Sequence, residues 1–150
     1  MYKDKPLFVK ILLVIWQLPQ LLIGLIMLAI FHNKTVYTNS ENKVSVWNVN
    51  THHAFGNACF SLGPIIFTCN NKVEEDTIKH ETGHSLQSIR LSWLYLIVIP
   101  IPSICLFWYR RIMKKDMNFY YGHFPENWAE KLGQTNRYKT KIIMSNKQSN

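Results

Sequence analysis

The run His80-Glu81-Thr82-Gly83-His84 contains the residue types that bind a metal ion and activate a water molecule on it. Residues four apart share one face of an α-helix, so the two imidazoles can reach the same ion. The carboxylate of Glu81, one position along, can then take a proton from a water on that ion. The H-E-x-x-H spacing therefore predicts a zinc site with a general base, provided that a helix forms here.

A catalytic zinc site takes three protein ligands and leaves the fourth position to water, so one more ligand must come from elsewhere. In the segment ENWAE, Glu126 and Glu130 lie four residues apart and would share a helical face. Glu126 is a candidate third ligand. Glu130 could accept a hydrogen bond from the nitrogen of a ligand histidine that does not bind the metal. His123 and the adjacent His52 and His53 are rival ligands. Two surface acids on a short helix are the ordinary alternative.

A helix over the motif is the first element needed to position these side chains. Residues 74–77, EEDT, place acids near the positive end of a helix dipole, and Asp76 is a candidate N-cap. The helix is predicted to end at about Leu91. Gly83 costs roughly 1 kcal/mol relative to alanine at mid-helix. We therefore expect it to permit close approach by another element or by substrate.

A small sheet is predicted before that helix in the sequence, and a second helix after it. Residues 43–50, KVSVWNVN, alternate with period two, and residues 60–68, FSLGPIIFT, form a second extended segment with a Gly-Pro interruption. A small antiparallel sheet of two to four short strands is expected. Downstream, Pro125 suits the first position of a short helix that carries Glu126 and ends at Gly133.

The first apolar run, residues 7–31, contains a single charge, Lys10, and exceeds the roughly 20 residues needed to cross a bilayer. It is predicted to form one transmembrane helix, kinked at Pro19. Gln17 and Gln20 should face protein or water rather than lipid. A cleavable signal peptide is the rival interpretation, but the run is too long and no small-residue cleavage site follows it.

The second apolar run, residues 92–109, contains Pro100 and Pro102, which remove helical hydrogen bonds. Two half-helices joined at the prolines as a re-entrant hairpin are predicted, with one kinked spanning helix as the alternative. A straight span would place His84 and Glu126 on opposite faces of the bilayer, about 30 Å apart. The predicted zinc site therefore requires the chain to fold back.

The charge balance favours a membrane partner. The 150 residues include 17 Lys and Arg against nine Asp and Glu, and the basic residues are scattered or lie beside apolar runs. No recognised nucleic-acid-binding module is present, so membrane lipid is expected as a partner and nucleic acid is not. The basic cluster over 110–115 predicts a headgroup anchor and a metal site on the cytoplasmic side. Lys3, Lys5 and Lys10 favour a cytoplasmic N-terminus instead.

The pattern H-E-x-G-H at 80–84, followed by E-x-x-A-[DE] at 126–130, resembles the gluzincin group of zinc metallopeptidases. It is most similar to the membrane-embedded branch, the prenyl-protein and heat-shock membrane endopeptidases. The segments HETGHSLQS and FPENWAEKLG, with a proline-containing apolar run between them, are also similar to a group of small uncharacterised bacterial membrane proteins. The resemblance covers roughly residues 60–133.

The resemblance implies His80, His84 and Glu126 as zinc ligands, Glu81 as base, and Glu130 as the partner of a ligand histidine. The chain departs from the membrane endopeptidases at two points. Those enzymes are larger and place two membrane segments between the halves of the motif, where this chain has one apolar run. They also usually carry aspartate at the position of Glu130.

These observations predict an α+β membrane protein with three parts. Residues 1–33 would form an N-terminal anchor, residues 34–133 a metallopeptidase-like domain that includes the hairpin 92–109, and residues 134–150 a flexible basic tail.

The expected activity is hydrolysis of a peptide bond in a peptide or small membrane protein by metal-activated water, with Glu81 as base. Tyr120, Tyr121 or His123 could donate to the charge that develops on the carbonyl oxygen. The alternative is a non-catalytic membrane protein that keeps a zinc-stabilised or vestigial metallopeptidase-like fold.

Overall fold

The computed structural model describes residues 5–31, 35–39, 44–48, 59–68 and 74–135, with the backbone alone for 35–39 and 44–48. Over these ranges the fold is α+β, as predicted. The helices are α1 (Leu7–Trp16), α2 (Leu18–Phe31), α3 (Glu75–Leu91), α4 (Tyr95–Val98), α5 (Pro100–Ile112), α6 (Met117–Gly122) and α7 (Glu126–Gly133), with a 3-10 turn at Ser92–Leu94. The strands are β1 (Thr35–Asn39), β2 (Val44–Asn48), β3 (Phe60–Leu62) and β4 (Ile65–Thr68). The tail beyond residue 135 lies outside the described residues, as do His52 and His53.

The first apolar run forms two helices rather than the single helix predicted. The break lies at Gln17, because the ring of Pro19 clashes with the preceding helical turn. Both glutamines are buried against protein, as expected. Ser88 Oγ donates to Gln17 Oε1 at 2.7 Å, and Gln20 Nε2 donates to the Ser92 carbonyl at 3.0 Å.

Within the described residues, no one helix combines the length and hydropathy needed to cross a bilayer. Two bent combinations meet that criterion by length and composition alone. One is α1 with α2, bent by 78°, and the other is α3 through α4 with α5, bent by 56°.

The second apolar run breaks at Ile99, and the hairpin predicted at its prolines does not form there. Pro100 begins α5 and Pro102 lies in its first turn, where proline is tolerated, so the prolines impose one bend of 56° rather than a reversal. The chain reverses after α5, over residues 113–116. Phe107 then faces Tyr120, with ring centroids 6.2 Å apart. This fold-back brings α6 and α7 towards α3.

The sheet is mixed rather than wholly antiparallel, with strand order β1-β2-β4-β3. The pairs β1 with β2 and β3 with β4 are antiparallel, whereas β2 and β4 are parallel. β3 and β4 form a tight hairpin through Gly63, whose φ of 60° suits glycine.

The inner face of β3 and β4 forms the centre of the apolar core. Leu62, Ile65 and Phe67 are buried together and pack against Leu21 and Leu28 of α2. β3 and β4 also contact α3. The sheet therefore supports the helix that carries the H-E-x-x-H motif.

Candidate metal centre

The helix α3 places both motif histidines in the interior. It begins at Glu75 and ends at Leu91, as predicted, although Glu74 occupies the N-cap position and Asp76 lies in the first turn. The rings of His80 and His84 have centroids 4.8 Å apart and stand edge to face. The helical spacing therefore directs the two imidazoles to one location.

The helix α7 packs against α3 at backbone contact distance. A Cβ built on Gly83 would lie 2.1 Å from the carbonyl oxygen of Ala129, and one built on Gly133 would lie 2.1 Å from that of Lys79. No side chain fits at either point. The expectation that Gly83 permits close approach of another element is confirmed, and the close contact brings the first residue of α7, Glu126, to the histidines.

Three candidate ligand atoms converge between these two helices. Oε2 of Glu126 lies 2.9 Å from Nε2 of His80 and 3.3 Å from Nε2 of His84. The ligand atoms of the three residues all lie within 4.8 Å of one another, and all three side chains are buried. This group could hold a metal ion.

The far sides of both imidazoles are fixed by hydrogen bonds. Nδ1 of His80 donates to Oε1 of Glu130 at 2.6 Å, which is the contact anticipated for Glu130. Nδ1 of His84 donates to Oε1 of Gln87 at 2.7 Å, and the amide of Gln87 donates to the carbonyl of Pro125 at 3.0 Å. With Nδ1 protonated, Nε2 of each ring is the nitrogen available to a metal.

Oε1 of Glu126 accepts two further hydrogen bonds. Ser103 Oγ lies at 2.5 Å and the Tyr120 hydroxyl at 2.8 Å. The contribution of Ser103 was not predicted, because a single serine in an apolar run gives no signal that the helix carrying it begins beside the site. Gln87 was also missed, although its position three residues after His84 is a detectable signal.

The electrostatics of the centre balance burial against hydrogen bonding. Burial alone would raise the pKa of Glu126, but the hydrogen bonds from His80 and His84 outweigh it and hold that pKa well below its usual range. Burial opposes the charged form of His84, yet the hydrogen bond and charge of Glu126 raise its pKa to about 9. At neutral pH a proton on His84 thus neutralises Glu126, and a bound cation would replace that proton.

The general-base candidate Glu81 is buried beside this group, with 4% of its surface exposed. Among the described residues its Oε2 has no hydrogen-bond partner. Burying a carboxylate oxygen without a hydrogen-bond partner costs free energy. Its position here therefore favours contact with a ligand or a water molecule. The donor set of two imidazoles and a carboxylate, with a second carboxylate nearby, fits a metal with bound water.

The structure brings two of the three candidate oxyanion donors to the centre. Tyr120 bonds Glu126, and the ring of Tyr121 stands edge-on to His80 at 5.3 Å. His123 is exposed, bonds the carbonyl of Phe119 at 2.7 Å, and is not part of the ligand group. Burial raises the pKa of Tyr120, with the charge of Glu126 adding to the effect, so this phenol is a hydrogen-bond donor at neutral pH.

Comparisons of the chain with family models, curated proteins and solved structures give no match. Any functional conclusion therefore rests on the geometry of the centre and on the motifs in the sequence.

Proposed function

We propose that this chain is a membrane-bound zinc-dependent endopeptidase. The observation that supports the proposal is the convergence of His80, His84 and Glu126 at one location. Glu81 lies beside them, and its Oε2 has no hydrogen-bond partner in the part of the chain that the structure describes. Metal-assisted hydrolysis requires three ligands, an open position for water, and a base that reaches this water. These residues would supply the three ligands and the base.

The donor atoms suit zinc in particular. His80 and His84 would bind through Nε2 and Glu126 through Oε2, which makes a site of two nitrogens and one oxygen. Zinc bound there would supply a water of lowered pKa and polarise the carbonyl of the scissile bond. Glu130 and Gln87 keep the two rings oriented for this role.

In the proposed reaction, Oε2 of Glu81 accepts a proton from the attacking water. The water oxygen adds to the peptide carbonyl carbon, the C–N bond breaks, and Glu81 returns the proton to the leaving amine. Tyr121, beside His80, is the proposed donor to the charge on the carbonyl oxygen. The products are a carboxylic acid, which loses its proton at neutral pH, and an amine, and Glu81 ends in its starting state.

The exposed surfaces support the membrane part of the proposal. The helices α1 and α5 have no buried residue, and large apolar side chains of α1, α2 and α5 are exposed. Such exposure is unusual for a monomer in water, and lipid would cover it. Examples are Leu7, Leu12, Ile15, Ile26, Ile30, Ile101, Ile104 and Ile112. The basic cluster over 110–115 begins in the last turn of α5 and would contact lipid headgroups on the cytoplasmic side. With the metal centre near that surface, a peptide or small membrane protein is the proposed substrate.

Membrane fractions test this part directly. Washing with alkaline carbonate releases peripheral proteins, and the chain is expected to remain in the pellet because its apolar surfaces would be covered by lipid. A cysteine added to the tail should react with an impermeant reagent only after the cells are opened. Release of the chain by carbonate would exclude integral membrane association.

The metal dependence of hydrolysis tests the catalytic part. Detergent-purified protein is expected to cleave an unstructured protein such as casein, to stop when a chelator removes zinc, and to resume when zinc is restored. Magnesium should not restore cleavage, because it binds imidazole poorly. Cleavage that persists at full rate in excess chelator would contradict the proposal.

A non-catalytic, zinc-stabilised membrane protein is the second candidate, and burial of the centre favours it. His80, His84 and Glu126 are only 3%, 8% and 1% exposed, which leaves a substrate little direct access. In this case chelation would lower the melting temperature, since metal binding stabilises the folded state, but no peptide would be cleaved.

A further inference from the structure

We propose that Ser103 and Tyr120 form a hydroxyl clamp on Glu126, and that this clamp presents Oε2 alone to the metal. The two are positioning residues that act through the ligand. The inference rests on the proposed zinc site. It assigns Ser103, a residue of the second apolar run, a role in that site.

The two oxygens of Glu126 have separate partners. Oε1 accepts from Ser103 Oγ at 2.5 Å and from the Tyr120 hydroxyl at 2.8 Å, whereas Oε2 faces His80 and His84. The two hydroxyls are themselves 2.8 Å apart. The carboxylate is therefore held on one side by hydroxyl donors from α5 and α6 and on the other by imidazoles from α3.

Glu126 needs such support because of its place in the chain. It is the first residue of α7 and follows Pro125, which has no N–H to donate. Its side chain has three rotatable bonds, and an unsupported carboxylate must lose that freedom when it binds a metal. Hydroxyl donors that fix the carboxylate beforehand remove most of this cost and also set which oxygen coordinates.

The clamp is built on the inner face of α5. Ser103 lies one turn after Pro100, and Phe107 lies one turn further on the same face, with its ring edge-on to Tyr120. The guanidinium of Arg110 sits 5.4 Å from the centre of the Phe107 ring. The bend at Ile99 therefore directs Ser103, a polar residue in a mostly apolar segment, towards the centre. Phe107 packs against Tyr120, which carries the second hydroxyl.

Zinc affinity measured by competition with a chelating dye tests the clamp. Ser103→Ala and Tyr120→Phe each remove one hydroxyl and are expected to weaken zinc binding about 10- to 100-fold, the usual effect of losing a hydrogen bond to a ligand. Ser103→Thr keeps the hydroxyl and should bind zinc as the wild type does. Cys105→Ala, an exposed change in the same turn of α5, is the matched control and should have no effect.

A double-mutant cycle separates positioning from general damage to the fold. In a Glu126→Ala background the clamp has no carboxylate to hold, so adding Ser103→Ala should cause no further loss of zinc affinity. An equal loss in both backgrounds, or wild-type affinity in Ser103→Ala, would overturn the clamp while leaving the zinc site intact. Wild-type protein that binds no zinc would contradict the proposed function itself, and the clamp with it.

Discussion

Glu81→Gln is expected to abolish peptide hydrolysis while the protein retains its zinc. Glutamine fills the same space but cannot accept the proton of the attacking water, and the ligands His80, His84 and Glu126 are unchanged. Loss of a general base lowers the rate by about 10²- to 10⁴-fold. The measurement is cleavage of casein by wild-type and variant protein matched for zinc content.

Glu75→Gln provides the control for that experiment. It is the same substitution in the same helix, at an exposed acid that forms an ion pair with Lys79 on the surface. Such a pair contributes little to stability, so activity and zinc content should both match the wild type. Cleavage by Glu81→Gln at the wild-type rate would exclude Glu81 as base. Loss of zinc together with activity would show that Glu81 supports the metal rather than the proton transfer.

Gly83→Ala is expected to disrupt the metal centre although it adds only a methyl group. The new Cβ would lie 2.1 Å from the carbonyl oxygen of Ala129. This oxygen belongs to the backbone, so no side-chain rotation can relieve the clash. The two helices must separate, which moves Glu126 away from the histidines. Overpacking of this kind costs about 1–3 kcal/mol or more, and it outweighs the roughly 1 kcal/mol that alanine contributes through helix propensity. A lower melting temperature and a lower zinc content are both expected.

Gly122→Ala is the matched control, because a Cβ at Gly122 would meet no described heavy atom within 4 Å beyond its own chain neighbours and helix backbone. This variant should keep the zinc content and melting temperature of the wild type. If Gly83→Ala also behaved as wild type, the backbone contact between α3 and α7 would not be what positions Glu126.

The parts of the fold that could be predicted are those encoded by local patterns. The start of α3 could be predicted because acidic residues favour the positive end of a helix dipole. The predicted end at about Leu91 also agrees with the structure. The alternation of apolar and polar residues predicted β2, and the two extended segments on either side of Gly63-Pro64 correspond to β3 and β4. Pro125 and Gly133 predicted the ends of α7 to within one residue. The close approach at Gly83 followed from the cost of glycine within a helix.

The parts that could not be predicted depend on contacts between distant residues. The parallel pairing of β2 with β4 and the reversal at 113–116 are decided by how segments pack together, which a single sequence does not show. The helix α6 was not predicted, although Asp116 caps it by accepting from the Phe119 amide at 2.9 Å. Ser103 reaches the centre only because these long-range features combine.

The position of the reversal matters for the candidate site. The zinc site was predicted to require a fold-back at Pro100 and Pro102. The structure instead brings Glu126 to His80 by a bend at Ile99 and a turn after α5. The ligand group therefore forms without a hairpin inside the apolar run, and the requirement that the chain return to α3 is met by another route.

The metal content of wild-type protein tests the central claim most directly. Protein purified in detergent from zinc-sufficient medium, without metal-affinity resin or chelator, is analysed by elemental mass spectrometry. The convergence of His80, His84 and Glu126 predicts about one zinc ion per chain. Folded protein that contains no zinc, and takes up none when zinc is added, would contradict the metal centre and the hydrolytic function built on it.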